Sequence, residues 1–201
     1  MENPKMWILL GIIAVLVAAG FASYNSVAEA ENAVEAKMSD LQGTYQRRLD
    51  LIPNLVRTVE AAAAHEQRLQ ETVARLRSAQ QAAAQAPAPD TSRAAAQQYD
   101  AAQRQLGVAI RATFEAYPQV TATANFRDLQ AQIEGTENRI NVARRDYNHA
   151  VEVYNNRLTT YPTKIFAGGR LRRTGFSASD AAQNAPVVQF GNGTPAPVPA
   201  Q

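Results

Sequence analysis

The sequence predicts an all-α protein: an N-terminal transmembrane helix followed by an antiparallel up-down four-helix bundle. Three observations carry that reading. Residues 7–22 form an uncharged run, Trp-Ile-Leu-Leu-Gly-Ile-Ile-Ala-Val-Leu-Val-Ala-Ala-Gly-Phe-Ala. Apolar residues then recur at helical spacing in four blocks. The remainder is rich in alanine and glutamine, with Gly and Pro gathered between the blocks rather than inside them.

The apolar run spans about 24 Å as helix, a little short of a ~30 Å hydrocarbon core. Trp7 and Tyr24 bracket it as interfacial aromatics do. Its length exceeds the usual apolar segment of a signal peptide, which favours an uncleaved anchor. Residues 1–5 are a short flank, 6–23 the anchor and 24–162 the bundle. Lys5 and the free N-terminus precede the run, whereas Glu29 and Glu31 follow it. The positive-inside rule then leaves the N-terminus in the cytoplasm and the bundle outside.

Each block has its stripe. Block one carries Val27, Val34, Met38, Leu41, Tyr45 and Leu49; block two carries Leu55, Val59, Ala62, Glu66, Leu69, Val73 and Leu76. Pro53 favours the first turn of a new helix, because inside a helix it removes a hydrogen bond and clashes with the preceding turn. A turn is therefore predicted at residues 50–53, with a kinked continuous helix as the alternative. Ala86-Pro87-Ala88-Pro89-Asp90 breaks the chain, and Thr91 or Ser92 is placed to cap block three, which carries Tyr99, Leu106, Ile110 and Phe114. Tyr117-Pro118 ends that block. Asn125 is the predicted cap of block four, with Phe126, Leu129, Ile133, Thr136, Ile140, Ala143, Tyr147, Val151, Tyr154, Leu158 and Tyr161 on one seam.

Up-down connectivity would bring the turns near Pro53 and Pro118 together at a distal tip about 40 Å from the anchor. Arg47, Arg48, Asp50 and Asn54 with Glu115 and Tyr117 are then candidates for docking another protein, since charged and aromatic loop residues on a rigid scaffold often bind partners. The end of block four would return to the bilayer. In the basic segment 163–176, Lys164, Phe166, Arg170, Arg172 and Arg173 are candidates for contact with anionic lipid. Residues 177–201 are Ala, Pro, Gly, Asn and Gln with few charges, the composition of a disordered tail.

Within block four, Glu134, Gly135, Thr136, Glu137, Asn138 and Arg139 form the densest polar cluster. Gly135 is disfavoured by ~1 kcal/mol against alanine, which suggests that a neighbouring helix or ligand approaches closely there. Asn141, Asn148 and Asn155 repeat every seven residues beside Tyr147 and Tyr154, a polar ridge suited to hydrogen bonding with a neighbouring element or to recognition.

Chemistry is sparse. There is no cysteine, which excludes disulfides and thiol nucleophiles. A net charge of +2 is too small for a nucleic-acid-binding face. His65-Glu66 continues as Gln67-Arg68-Leu69, so the second histidine of a zinc-protease helix is missing. No phosphate loop, nucleophile elbow or paired acid–base carboxylates stand out. The expectation is a non-enzyme with no cofactor, metal, nucleic acid or small-molecule substrate. Its expected partners are the lipid bilayer and another membrane or envelope protein.

Several motifs add specificity. Tyr24-Asn25-Ser26-Val27, Arg47-Arg48-Leu49-Asp50-Leu51-Ile52-Pro53-Asn54-Leu55-Val56 and His65-Glu66 resemble the first half of LemA-family proteins. Glu115-Ala116-Tyr117-Pro118, Asn125-Phe126, Gln132-Ile133-Glu134-Gly135-Thr136-Glu137-Asn138-Arg139-Ile140, Ala143-Arg144-Arg145-Asp146-Tyr147-Asn148, Tyr154-Asn155 and Tyr161-Pro162 resemble the second, so the likeness runs over residues 5–170. The Ala/Pro/Gly tail departs from the family pattern, and Asn184-Ala185-Pro186-Val187-Val188-Gln189-Phe190 looks like a remnant of its terminus. The resemblance implies a bacterial single-pass membrane protein with an antiparallel four-helix soluble domain, and it implies no enzymatic activity; the expected location is the cytoplasmic (inner) membrane.

Overall fold

A computed structural model describes residues 4–62, 68–87, 93–117 and 124–176. Among them the chain is all-helical, without strands: α1 (Pro4–Ala62), α2 (Leu69–Gln85), α3 (Arg93–Ala116), α4 (Ala124–Thr159) and a single turn, α5 (Thr163–Phe166). The His65-Glu66 pair, the Thr91 or Ser92 cap, Pro118 and the tail from residue 177 lie outside the described residues.

α1 runs 59 residues without a break, about 88 Å at 1.5 Å per residue. It is the one described helix long and apolar enough to cross a membrane. Trp7, Val15 and Phe21 are more than half exposed there. From Val27 onward the same helix buries a stripe instead, through Ala30, Val34, Leu41, Tyr45, Arg48, Ile52, Leu55 and Val59. No loop separates the two halves.

The turn predicted at residues 50–53 is absent, because α1 passes through Pro53 to Ala62. Pro53 has no N–H to offer the carbonyl of Leu49, four residues back. Gln80 of α2 supplies the missing donor, its Nε2 lying 3.3 Å from Leu49 O. Block two is thereby divided, with Leu55 and Val59 ending the stripe of α1 and Leu69, Val73 and Leu76 forming that of α2. Gln80→Leu is expected to lower stability by about 1 kcal/mol, the usual effect of stripping a hydrogen bond from a part-buried carbonyl. In a Pro53→Ala background, where the helix regains its own donor, that loss should largely vanish. Chemical denaturation of the four chains of this cycle measures the coupling.

Two apolar clusters hold the helices. One joins Ile52, Leu55 and Val59 of α1 to Val73 and Leu76 of α2, Leu106 and Ile110 of α3, and Phe126 and Ile133 of α4. The other joins Val27, Val34, Leu41 and Tyr45 of α1 to Tyr147, Val151, Tyr154 and Leu158 of α4, with Tyr99 of α3 and with Ala167 and Phe176 beyond α5. α2 and α3 are the short members, and beside the second cluster residues 167–176 take their place. Along α1, Ser26 meets Arg157, Lys37 meets Asp146 and Arg48 meets Glu137, so partner numbers on α4 fall as those on α1 rise.

The seam of α4 is buried at Phe126, Leu129, Ile133, Thr136, Ile140, Tyr147, Val151, Tyr154 and Leu158. Tyr161, placed on that seam by periodicity, is exposed because α4 ends at Thr159. Asn125 lies within α4 rather than capping it, since the helix begins at Ala124. Gly135 has no close neighbour among the described residues: a methyl group there meets nothing within 4 Å. The close approach of a neighbouring helix, inferred from its helical disfavour, is thus corrected. Gly135→Ala should be tolerated and raise stability by up to ~1 kcal/mol, measurable by thermal unfolding.

Candidate functional site

Between the two apolar clusters lies a layer of buried charge. Arg48 falls on the stripe of α1 at helical spacing from Tyr45 and Ile52, and so points inward; its residue surface is 3% exposed. Its Nη1 donates to Glu137 Oε1 at 2.6 Å, and its Nη2 donates to both the backbone and side-chain oxygens of Gln103. Gln103 in turn donates to Ala83 O of α2. One guanidinium thus links α1, α3 and α4, and through Gln103 reaches α2. Beside it, Asp100 of α3 is buried between Arg104, its ion-pair partner one turn on, and Arg144 of α4, whose Nη2 is 3.0 Å away. These groups line a groove of about 930 Å³, which continues along Gly107, Asn138 and Asn141 to Phe176.

Tyr45 sits in the same layer with its hydroxyl buried and unpartnered among the described residues. Burial pushes its pKa up to about 12, against the opposing pull of Arg144 and Arg48. Burial also raises Tyr99, Tyr147 and Tyr154. A tyrosine whose folded pKa is raised keeps its proton while the unfolded chain loses it. Its stabilisation is complete below pH 10 and disappears as pH climbs through 12. Tyr45→Phe should therefore be neutral or better near pH 7. Between pH 9 and 11.5 it should lose less stability than the parent chain, by on the order of 2 kcal/mol. Urea unfolding at the two pH values checks this.

A second cluster of side chains lies where α1 changes from exposed apolar helix to packed helix. α5 turns back against α1, and the ring of Phe166 rests on Gly20, where an added methyl would come within 3.1 Å of the ring. Ile13, Leu16, Val17, Phe21 and Tyr24 continue that apolar surface. Gly168 and Gly169, both left-handed at φ 65° and 74°, then reverse the chain, a conformation glycine adopts without penalty. Arg170 lies over the Tyr24 ring and donates to Glu31, which Arg173 also reaches; Arg173 pairs further with Glu35. Lys164, Ile165, Leu171 and Arg172 remain exposed.

From there residues 171–176, outside any helix, run along α4 and are held to it as a C-terminal clasp. Asn155 receives the Arg173 N–H at 3.0 Å and donates to the Arg173 carbonyl at 2.9 Å. One heptad back, Asn148 makes the same pair of bonds with Phe176, at 2.8 and 2.9 Å. Tyr154 and Tyr147 donate to the carbonyls of Leu171 and Thr174. Gly175 makes this approach possible: a methyl group there would lie 2.9 Å from Asn148 Oδ1.

No group of three or more metal-ligating side chains is assembled among the described residues. A family model, the LemA family, matches residues 37–190. The chain belongs to the LemA family. No curated protein matches it. The family match takes in Arg48, Glu137 and the whole C-terminal clasp, and it extends through the remnant at residues 184–190.

In this LemA-family chain the six residues assigned to a distal tip do not assemble there. Arg47, Asp50 and Asn54 lie on the exposed side of continuous α1, where Asp50 accepts from Gln46 and Asn54 from Arg57. Arg48 is interior, and Tyr117 is 1% exposed with its hydroxyl 3.5 Å from Thr72 Oγ1. Only Glu115 is both exposed and at a helix end. The displacement follows from Pro53, because the end of α1 moves a further nine residues away. Of the basic segment, Arg170 and Arg173 are committed to ion pairs with α1, while Lys164 and Arg172 face outward and Phe166 packs on Gly20. Sequence reading missed the role of Gln103, Asp100 and Glu137. A signal was present: Arg48 on α1 and Gln103 on α3 interrupt apolar stripes at the stripe's own spacing, and an inward arginine needs partners.

Proposed function

We propose that this protein is a non-catalytic, membrane-anchored scaffold: an antiparallel four-helix bundle fixed rigidly above a bacterial inner membrane, on the periplasmic side, and offering its outer surface to other envelope proteins. The observation that carries this reading is the continuity of α1. One helix serves as both span and scaffold strut, so the bundle inherits the orientation of its anchor, and its far end stands about 57 Å above Tyr24. The interior charge layer supports the same role, because buried polar pairs of this kind fix helix register and partner choice rather than add stability.

The scaffold reading is tested by photo-cross-linking in living cells, with probes at exposed Arg47 and Glu115 and a comparison probe at Arg172. A discrete protein adduct at either of the first two supports it. Adducts only with lipid, and only at Arg172, would defeat it.

A second reading has its own observation. Lys164, Ile165, Leu171 and Arg172 are exposed at the level of Gly20 and Tyr24, where a bilayer surface would lie. Each such cation contributes about 1 kcal/mol of attraction to anionic lipid. In this reading the protein organises the membrane surface itself. Lys164→Ala with Arg172→Ala should then lower anionic-lipid enrichment around the reconstituted chain; unchanged enrichment would remove this reading.

A further inference from the structure

We propose that the seam between α3 and α4 receives an extended, acidic segment of a partner protein, held by Arg111 on one wall and Arg145 on the other. This rests on the scaffold reading and deepens it, by naming the surface and the chemistry of what docks there. α1 packs on α4 and α2 on α3, and the groove of about 930 Å³ is the seam left between α3 and α4. Five of its lining residues are arginines and two are carboxylates. Both carboxylates are already engaged, Asp100 by Arg104 and Arg144, and Glu137 by Arg48. Arg111 and Arg145 are exposed and make no ion pair among the described residues. In the lining, the Tyr45 hydroxyl and the Arg48 Nε are buried and also unpartnered there. The seam therefore has donors and positive charge in surplus. Its complement is a carboxylate, which a guanidinium group binds through paired hydrogen bonds.

Spacing sets the form of the occupant. Asp100 stands opposite Arg144, and Gly107 lies beside Glu137, so α3 and α4 run antiparallel along the groove. In that register Arg145 stands at the level of Tyr99, twelve positions and about 18 Å from Arg111. Five steps of extended chain cover about 17 Å, and an odd number of steps sends two side chains to opposite faces, one toward each wall. A helix of that length, about 10 Å across, would fill roughly 1,400 Å³, more than the groove holds. On an upright α1, Arg48 lies about 36 Å above Tyr24. That is several times the ~8 Å reach of charge in physiological salt, so the seam serves a soluble segment rather than a lipid headgroup.

Fluorescence anisotropy with the full chain in neutral detergent tests this. The probe is the peptide Glu-Gly-Ser-Gly-Ser-Glu, carrying a neutral dye and blocked at both ends so that its only charges are the two carboxylates. Saturable binding is expected. A peptide with its glutamates two positions apart should bind at least fivefold more weakly, because both side chains then face one wall. Arg111→Glu with Arg145→Glu should weaken the first peptide at least tenfold, and both residues are exposed and unpaired, so the bundle stays folded by circular dichroism. Arg139→Glu, on an exposed face of α4 outside the groove, should change it less than twofold. Absence of saturable binding, equal affinity for the two peptides, or an equal loss in Arg139→Glu would overturn the proposal, while adducts at Arg47 and Glu115 would still decide the scaffold reading. Self-association of the chain that the double substitution abolishes would also overturn it, and would assign the seam to a second copy.

Discussion

Arg48→Met should lower the unfolding free energy by roughly 3 kcal/mol, the largest single-residue effect expected outside the apolar clusters. The substitution keeps the length of the side chain and removes every charge-assisted bond that it makes. The buried oxygens of Gln103 lose their donor, and Glu137 loses its ion pair. Glu137 is 37% exposed, so water recovers part of its solvation and holds the loss below that of a fully enclosed pair. An arginine on an exposed tip would give a change within about 0.5 kcal/mol on the same substitution. Guanidinium denaturation separates the two. A double-mutant cycle with Glu137→Gln should return a coupling of about 1 kcal/mol or more.

Opening the C-terminal clasp should have the next largest effect, and a local one. Each asparagine satisfies both backbone groups of one residue, so Asn148→Ala or Asn155→Ala leaves a part-buried N–H and C=O without partners. Gly175→Val reaches the same end from the other side, by driving a side chain into the Asn148 amide. Limited trypsin digestion reads the result directly, since Arg170, Arg172 and Arg173 lie in the clasped segment. Where cleavage follows local opening, a loss of about 1.4 kcal/mol speeds it tenfold. At least that acceleration is expected for either asparagine variant, with α1–α4 remaining folded by circular dichroism.

How much of this was legible in the residues depends on the range of the interaction. The seam of α4 could be read almost residue by residue, because one long helix keeps one period and its burial repeats with it. The apolar run at residues 7–22 was equally plain. Pro53 misled because the rule applied to it is local: it counts a lost N–H and cannot see that Gln80, on another helix, restores the bond to Leu49. One misplaced turn then carried Arg47, Arg48, Asp50 and Asn54 to a tip that α1 does not reach until Ala62. The asparagine ridge was visible as a heptad repeat, but its partner was not. Residues 171–176 have no period of their own, and they bond to α4 from 17 to 28 positions away. Arg48 lay between, since its inward spacing was on the page and the turn assigned to Pro53 obscured it.

The central claim is that an unbroken α1 holds the distal half at a fixed height above the bilayer. The chain has no cysteine, so Arg57→Cys provides a single site for a donor dye on an exposed face of α1. Energy transfer from that dye to acceptors on lipid headgroups, in nanodiscs, measures the height. From Tyr24 to Arg57 the helix rises about 50 Å, and a single narrow distribution near that value is expected. A broad distribution, or a mean below about 30 Å, would mean that the bundle tilts or folds down onto the membrane, and would contradict a rigid strut.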